Sequence, residues 1–300
     1  MKLLPMISTK AKPDDTDGRD TSSSLETVEE ALRGLDEDLQ AEKEVNINNE
    51  KDAHDVSTTS PSTSSTAGDH PYRFVPLRMG GIGRTHKPTA ESTELIDEIG
   101  GLTTLFNMTK FFYKQAFKDA TLDKFIRDHD DPHAMRFAKW IHQKLTDSTV
   151  WDNDRVSRSQ SPVTVAQGHT TIVQDRSSAH AAAWYSPKRP ANEVGRHFKL
   201  DECRVWMRLH FWAMRETLGD TNPSFTDYYV RFIGHFVNVY EGSAPAFARE
   251  SYRWSRSAVN IQKYIDNGRR MNDVLGLSLG QSLSQLPEDE ANDEIWPYIS

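Results

Sequence analysis

Histidine and aromatic side chains are concentrated in three consecutive stretches of the second half of the chain. AHAAAWYSPKR around His180 is followed by the strongly apolar LDECRVWMRLHFWAMRETL at 200–218 and by SFTDYYVRFIGHFVNVY at 224–240. Phosphate-binding loops, HExxH and CxxC metal motifs and the GxSxG nucleophile motif are absent from the sequence. A helical pocket lined by Phe, Tyr and Trp with one histidine suits a flat apolar cofactor such as haem, because a neutral imidazole binds iron.

The charge of the chain is unevenly distributed. Residues 1–70 contain seven Lys or Arg and sixteen Asp or Glu, a net of −9 against −8 for the whole chain. The rest is therefore nearly neutral and lacks the basic surplus expected of a nucleic-acid-binding face. The single cysteine, Cys203, rules out an intrachain disulfide and fits a reducing compartment. No apolar run of about 18 residues predicts a membrane span, and the opening MKLLPMISTKAKPDD lacks a secretory signal, so we expect a cytoplasmic protein.

The polar composition and a mean hydropathy of −0.68 predict disordered tails around one folded domain. Residues 1–91 form the predicted acidic extension, with low complexity at 55–69 and a linker at 70–88. Within the extension, Leu25–Leu39 has heptad-like leucine spacing, which predicts either a transient helix or a short partner-binding helix. The folded domain is predicted at 92–255 and a polar C-terminal tail at 256–300.

Apolar residues recur at helical spacing through the predicted domain, which indicates an all-α fold. Ser92 suits the N-cap of a first short helix, and an amphipathic helix is predicted over 102–118. Another helix starts at Asp131, with Pro132 in its first turn. Its predicted inner face comprises His133, Phe137, Trp140, Ile141 and Leu145.

The second half of the domain alternates loops with helices. Few apolar residues occur in 146–174, so a long mobile excursion is predicted there, without a strand. Helices are predicted at 175–186, at 200–218 and from Asn222 onward, followed by a short helix in AFARESYRWS.

Three runs in this pattern carry a family resemblance. FFYKQAFKDATLDKFI at 111–126, RFAKWIHQKL at 136–145 and ECRVWM at 202–207 resemble the truncated haemoglobins, most closely their group II. The resemblance covers about half of the chain, roughly residues 96–240. It implies a globin-like two-over-two helical sandwich that binds haem b.

The resemblance implies roles for residues on the distal side of the haem. Tyr113 takes the position of the tyrosine that hydrogen-bonds the bound ligand, and Trp206 that of a tryptophan whose indole N–H can do so. If RFAKWIHQKL is aligned with the distal helix of the family, His133 takes the position through which the ligand enters. If the alignment is instead continued without a gap from Tyr113, Ala134 takes that position. We prefer His133. The implied haem-contacting set is Phe112, Tyr113, Phe125, Ile126, His133, Phe137, Trp140, Ile141 and Trp206.

The proximal iron ligand departs from the family pattern. About a dozen residues before Trp206 the chain has Glu193, which cannot serve. His197 lies only nine residues before Trp206, so placing it at the iron would delete most of the tight corner that leads into the next helix. His180 lies twenty-six residues before Trp206, so placing it at the iron requires an insertion in the loop between them. Because insertions in surface loops cost little, we predict His180 as the ligand and His197 as the alternative; His169 ranks third.

Other polar residues near these stretches have ordinary explanations. Lys188 and Arg189 either pair with haem propionates or are solvated loop charges. His210 and His235 lie mid-helix among apolar residues and are interpreted as structural, and Cys203 as buried and inert.

The resemblance implies reversible binding of O₂, NO or a similar diatomic gas, for transport, sensing, NO dioxygenation or peroxide chemistry. The chain has no recognisable flavin or nicotinamide module to deliver electrons, so a binding protein is favoured over an enzyme. The alternative hypothesis is a haem-free helical interaction domain in which Leu25–Leu39 binds a protein partner.

Overall fold

The computed structural model describes residues 71–80, 85–159, 163–167, 170–174, 183–292 and 296–297. These residues are mostly helical, which confirms the prediction at that level. The helices are α1 (Ala90–Glu98), α2 (Gly101–Ala116), α3 (His133–Leu145), α4 (Val150–Ser159), α5 (Leu200–Leu218), α6 (Pro223–Val237), α7 (Ala248–Ser255), α8 (Ala258–Asp266), α9 (Leu279–Leu283) and α10 (Glu288–Ala291). Short 3₁₀ turns span Asp123–Phe125 and Ala244–Phe247.

Helix α5 lies at the centre of the packing. Helix α2 packs against both α3 and α5, and α5 packs against α7. Residues on different faces of α5, such as Arg204, Val205 and Met207, are almost completely buried, so the helix has partners around most of its circumference. Its bounds match the prediction because the apolar pattern begins at Leu200 and Gly219 ends it at positive φ.

The observed starts of the helices agree only in part with the prediction. Asn222 caps α6 as predicted: its side chain accepts from the Phe225 N–H at 2.8 Å. Helix α1 starts earlier than predicted, because Thr89 is its N-cap and Ser92 is the third helical residue of the capping box. The predicted Asp131 cap is also wrong, since Pro132 occupies that position and Asp131 instead pairs with Arg136 at 3.2 Å.

Two segments predicted to lack regular structure contain it. The predicted linker holds the antiparallel strands β1 (Arg78–Gly80) and β2 (Thr85–Lys87), preceded by the buried Val75 and Leu77. The predicted excursion holds α4 and the hairpin of β3 (Val163–Gln167) and β4 (Thr170–Gln174). Both hairpins are isolated two-stranded pairs, which explains why the strand signal in the sequence was weak.

The C-terminal segment is part of the folded core. Tyr264, Met271 and Val274 are buried in the same apolar cluster as α2 and α5, so the expected polar tail at 256–300 does not describe residues 256–292. The Tyr264 hydroxyl donates to Oδ2 of the buried Asp119 at 2.9 Å. The folded part is therefore longer than 92–255 at both ends. The predicted disorder of residues 1–70 and the Leu25–Leu39 helix lie outside the described residues.

Removing the Tyr264 hydroxyl will test whether this segment contributes to stability. In Tyr264→Phe the buried Asp119 carboxylate loses one of its hydrogen bonds, so we expect the free energy of unfolding to fall by about 1.5–3 kcal/mol. Urea unfolding followed by circular dichroism measures the change. Tyr185→Phe, at an exposed tyrosine, is the matched control and is expected to stay within about 0.5 kcal/mol of the original protein. Equal effects in both variants would contradict the packing of α8 described above.

Candidate functional site

Two neighbouring residues of α2 face different surroundings. Phe112 is buried in the core, whereas Tyr113 keeps accessible surface. Successive residues of a helix point about 100° apart, so the core holds one ring and leaves the next on a different face. The two rings contact edge to face at 5.1 Å. The Phe-Tyr pair therefore divides the core from the space beside it.

Tyr113 and His133, two of the predicted distal residues, lie side by side. Their rings stack with centroids 5.2 Å apart, and His133 is the first residue of α3. His133 Nε2 lies 2.7 Å from the carbonyl oxygen of Asp128, and so donates to it. Burial lowers the pKa of His133 below its usual value, which favours the neutral imidazole. The carbonyl of Ala134 is occupied by the Thr109 hydroxyl at 2.7 Å. The placement of either residue over iron stays a prediction.

Partly exposed aromatic rings continue from Tyr113 along α3, α5 and α6. Phe137 contacts Trp206 at 5.9 Å and Trp140 at 5.8 Å, and Trp140 contacts Phe236 at 4.4 Å. The chain of contacts continues through Tyr240 to Phe198 and reaches Phe125. We call this connected group of rings the aromatic crevice: Tyr113, Phe137, Trp140, Phe198, Trp206, Phe236 and Tyr240.

The rings of the aromatic crevice lie at the border between the buried core and partly exposed positions. Burial raises the pKa of the phenols of Tyr113 and Tyr240 well above the usual value, although both rings keep accessible surface. The same contrast occurs on α5, where Trp206 is partly exposed while Val205 and Met207 are fully buried.

The remaining predicted contact residues differ in their burial. Phe125 and Ile141 are buried, and Ile126 is partly exposed. Phe198, Phe236 and Tyr240 were not predicted as lining residues. The last two follow the same four-residue spacing as the aromatic positions of α6, and that spacing is the signal that could have identified them.

His210 lies behind the crevice and has a structural environment. Its ring stacks on Trp206 with centroids 4.8 Å apart, and Nε2 lies 2.7 Å from the Tyr229 hydroxyl. Burial lowers the pKa of His210 to about 3, so the imidazole is neutral. A second buried pair, which the sequence did not suggest, joins His86 Nε2 to the Tyr228 hydroxyl at 2.6 Å. Burial lowers the pKa of His86 to about 4.

Of the three candidate proximal ligands, the structure describes only His197. His180 and His169 lie outside the described residues. His197 is partly exposed, packs against Trp184 with ring centroids 4.3 Å apart, and has a pKa lowered by burial. Its Nδ1 is buried and has no hydrogen-bond partner. In the described ranges, no three His, Cys, Asp or Glu side chains are grouped to hold a metal ion, although haem needs only one axial side chain.

The charged and thiol groups near the crevice are placed as follows. Lys188 is exposed and donates to Asp123 at 3.0 Å, whereas Arg189 is buried. Cys203 is buried and free, and burial raises the pKa of its thiol, which disfavours the reactive thiolate. No helix within the described ranges has both the length and the apolar composition to span a bilayer.

Comparisons with known proteins do not identify a relative of this chain. A scan against protein-family models, a search of curated proteins and a search of solved structures each found no match to the chain. The assignment of function therefore rests on the residues and their arrangement.

The neutral state of His210 predicts a pH dependence of stability. Below its ordinary pKa of 6.5 the unfolded chain binds a proton on this residue, whereas the folded protein does so only at about pH 3. Stability is therefore lost as the pH falls through this window, by about 1.4 kcal/mol per pH unit for one histidine.

Replacing the His210 and Tyr229 pair tests this dependence. In the double variant His210→Phe/Tyr229→Phe, we expect the slope of unfolding free energy against pH to fall by about 1.4 kcal/mol per unit between about pH 4 and 6. Tyr229→Phe alone keeps the histidine and should keep the slope. Urea unfolding at a series of pH values measures it, and an unchanged slope in the double variant would refute the assignment.

Proposed function

We propose that this domain is a haem-binding, globin-like protein that reversibly binds O₂, NO or a similar diatomic gas. The observation that carries the proposal is the stacking of Tyr113 on His133 at the border of the aromatic crevice. A hydroxyl and a neutral imidazole beside flat apolar walls suit a small polar ligand held next to a planar cofactor. The resemblance of the three sequence runs to group II truncated haemoglobins supports the same function.

The donor chemistry of the crevice fits haem b. Its rings at Phe137, Trp140 and Trp206 are flat aromatic surfaces, and each of them is partly exposed. When bound, haem supplies an iron atom with a coordination position for the gas. The aromatic walls exclude water from that position.

Three side chains hold and admit the gas in this proposal. The Tyr113 hydroxyl donates a hydrogen bond to the polar diatomic ligand, and the Trp206 indole N–H is a second donor. Both act in a space of low dielectric, where a hydrogen bond to a partly charged acceptor is stronger than in water. His133 lies beside Tyr113 and controls access to it.

The histidine that would bind the iron remains His180 in this proposal, with His197 as the alternative. A metal-binding histidine ordinarily donates its second ring N–H to a carbonyl, carboxylate or water. His197 Nδ1 has no such acceptor in the structure, which weighs against His197. Transport, sensing and NO or peroxide chemistry all use this kind of site, and turnover would require a separate electron donor.

Absorption spectra test the haem proposal and the ligand assignment together. The full-length protein is expected to show a Soret band after purification or reconstitution with haemin. His180→Ala should remove the band because the iron loses its axial imidazole. His197→Ala should keep it, and His129→Ala, at an exposed histidine, is the matched control.

The outcomes separate the two parts of the proposal. A protein that stays colourless after reconstitution contradicts haem binding and leaves the haem-free interaction domain. Loss of the band in His197→Ala but not in His180→Ala contradicts only the ligand assignment.

Ligand kinetics test the role of Tyr113. Tyr113→Phe keeps the ring but removes the donor, so O₂ should dissociate about 10–100-fold faster, as expected for the loss of about 1.5–3 kcal/mol from a hydrogen bond to a charged acceptor. Stopped-flow replacement of O₂ measures the rate. Tyr252→Phe on α7, beside Arg256, is the control and should leave the rate unchanged. Equal rates in Tyr113→Phe and the original protein would remove Tyr113 from the site.

A further inference from the structure

One buried arginine differs from the others in having no direct ion pair. Four arginines in the described part of the chain are buried: Arg189, Arg204, Arg208 and Arg231. Arg204 and Arg208 share Glu250, and Arg231 pairs with Asp227 at 2.6 Å. Arg189 is 4% exposed and makes no ion pair with any described carboxylate. The carboxylates of Glu202 and Glu193 stabilise its charge only without direct contact, so the guanidinium can still bind an anion directly.

The nearest carboxylates are already held by lysines. Glu202 accepts from Lys124 at 2.6 Å, and Glu193 contacts both Lys124 at 3.5 Å and Lys199. These two carboxylates therefore face two ammonium groups before Arg189 is counted. With Arg189, the cluster carries one more positive than negative charge.

The guanidinium group of Arg189 is anchored at one edge and free at another. Nη1 donates to the carbonyl oxygens of Trp184 at 2.9 Å and Arg196 at 2.6 Å. Nε and Nη2 are buried and have no partner. These two nitrogens point their N–H bonds along the same side of the planar group, which is the fork that binds carboxylate or phosphate in a bidentate manner.

The same loop presents two further unpartnered polar atoms. The Trp184 indole Nε1 and the His197 Nδ1 are buried without hydrogen bonds, and the two rings are 4.3 Å apart. The Gly195 N–H donates to the Trp184 carbonyl at 2.9 Å, which closes the loop around Arg189. The loop thus holds several polar groups that have no hydrogen-bond partner among the described residues.

An aromatic surface lies against this donor group. The guanidinium carbon of Arg189 is 4.9 Å from the centre of the Phe125 ring, and Phe125 contacts Phe198 in the wall of the aromatic crevice. A ligand that places an anionic group on Arg189 can therefore rest a flat apolar body on these rings.

We propose that the loop 183–198 is an oxyanion-binding site in which the Nε–H and Nη2–H of Arg189 hold a carboxylate or phosphate group and the Trp184 indole donates to it. The carboxylate of an aromatic acid fits best, because Phe125 and Phe198 provide an apolar surface. The site does not depend on iron or on the proposed gas binding. It can therefore be tested in the protein without any cofactor.

Titrations of the full-length protein with benzoate, benzamide and inorganic phosphate test the site. Side-chain N–H signals of Arg189 and Trp184 are followed by ¹⁵N–¹H NMR. Benzoate should shift both signals in a saturable manner, whereas benzamide, which has the same shape without the charge, should not. A saturable shift with phosphate alone would also support an oxyanion site but assign it to phosphate. No shift with either anion would overturn the proposal.

Variants distinguish benzoate binding at the buried guanidinium of Arg189 from binding to charges on the surface. Trp184→Phe keeps the ring and removes one donor, so the benzoate Kd should rise about three- to tenfold, the loss expected for one hydrogen bond of roughly 1 kcal/mol. Arg189→Lys keeps the charge but loses the fork, and the Kd should rise at least about tenfold. The control is Lys188→Met, at the exposed neighbour, with a Kd within about twofold of the original. If Lys188→Met loses binding while Trp184→Phe and Arg189→Lys keep it, the site is on the surface and the proposal is wrong.

Discussion

A helix that is buried on nearly every side must find a protein partner for each polar side chain it carries. Helix α5 is such a helix, and it brings Glu202, Arg208 and His210 into the interior. Each has its partner from a different element: Lys124 from the loop after α2, Glu250 from α7 and Tyr229 from α6. Since an unpaired buried charge costs several kcal/mol, this requirement determines which elements surround α5.

The aromatic crevice depends on the same helix. Trp206 borders the crevice while the residues on either side of it fill the core, and its ring rests on the fixed imidazole of His210. Phe137 contacts both rings from α3. The lining residues Phe137 and Trp206 are therefore held by a packed second layer.

Local signals in the sequence predict the central helices well. The bounds of α5 follow from apolar periodicity and Gly219, and the start of α6 follows from the Asn222-Pro223 pair. These features depend on residues close together in the chain or on one shared pattern.

The features that the sequence did not reveal depend on distant contacts. Residues 256–292 look polar because their few apolar side chains are widely spaced, and only the fold shows that Tyr264 meets Asp119. The burial of Arg189 depends on how the loop closes on the Trp184 carbonyl, which no spacing rule describes. Side-chain type alone could not distinguish it from its exposed neighbour Lys188.

Two buried charged residues have hydrogen-bond partners that are synthesised much later. Asp119 and Arg208 leave the ribosome well before their partners Tyr264 and Asp273, which lie 145 and 65 residues further along the chain. Until then, the loop after α2 and the helix α5 carry charged groups that lack part of their final pairing. Domains generally fold as units during translation, and this one cannot complete its interior until its last third has been synthesised. A nascent chain stalled at Ser255 would therefore leave Asp119 without Tyr264 and Arg208 without Asp273.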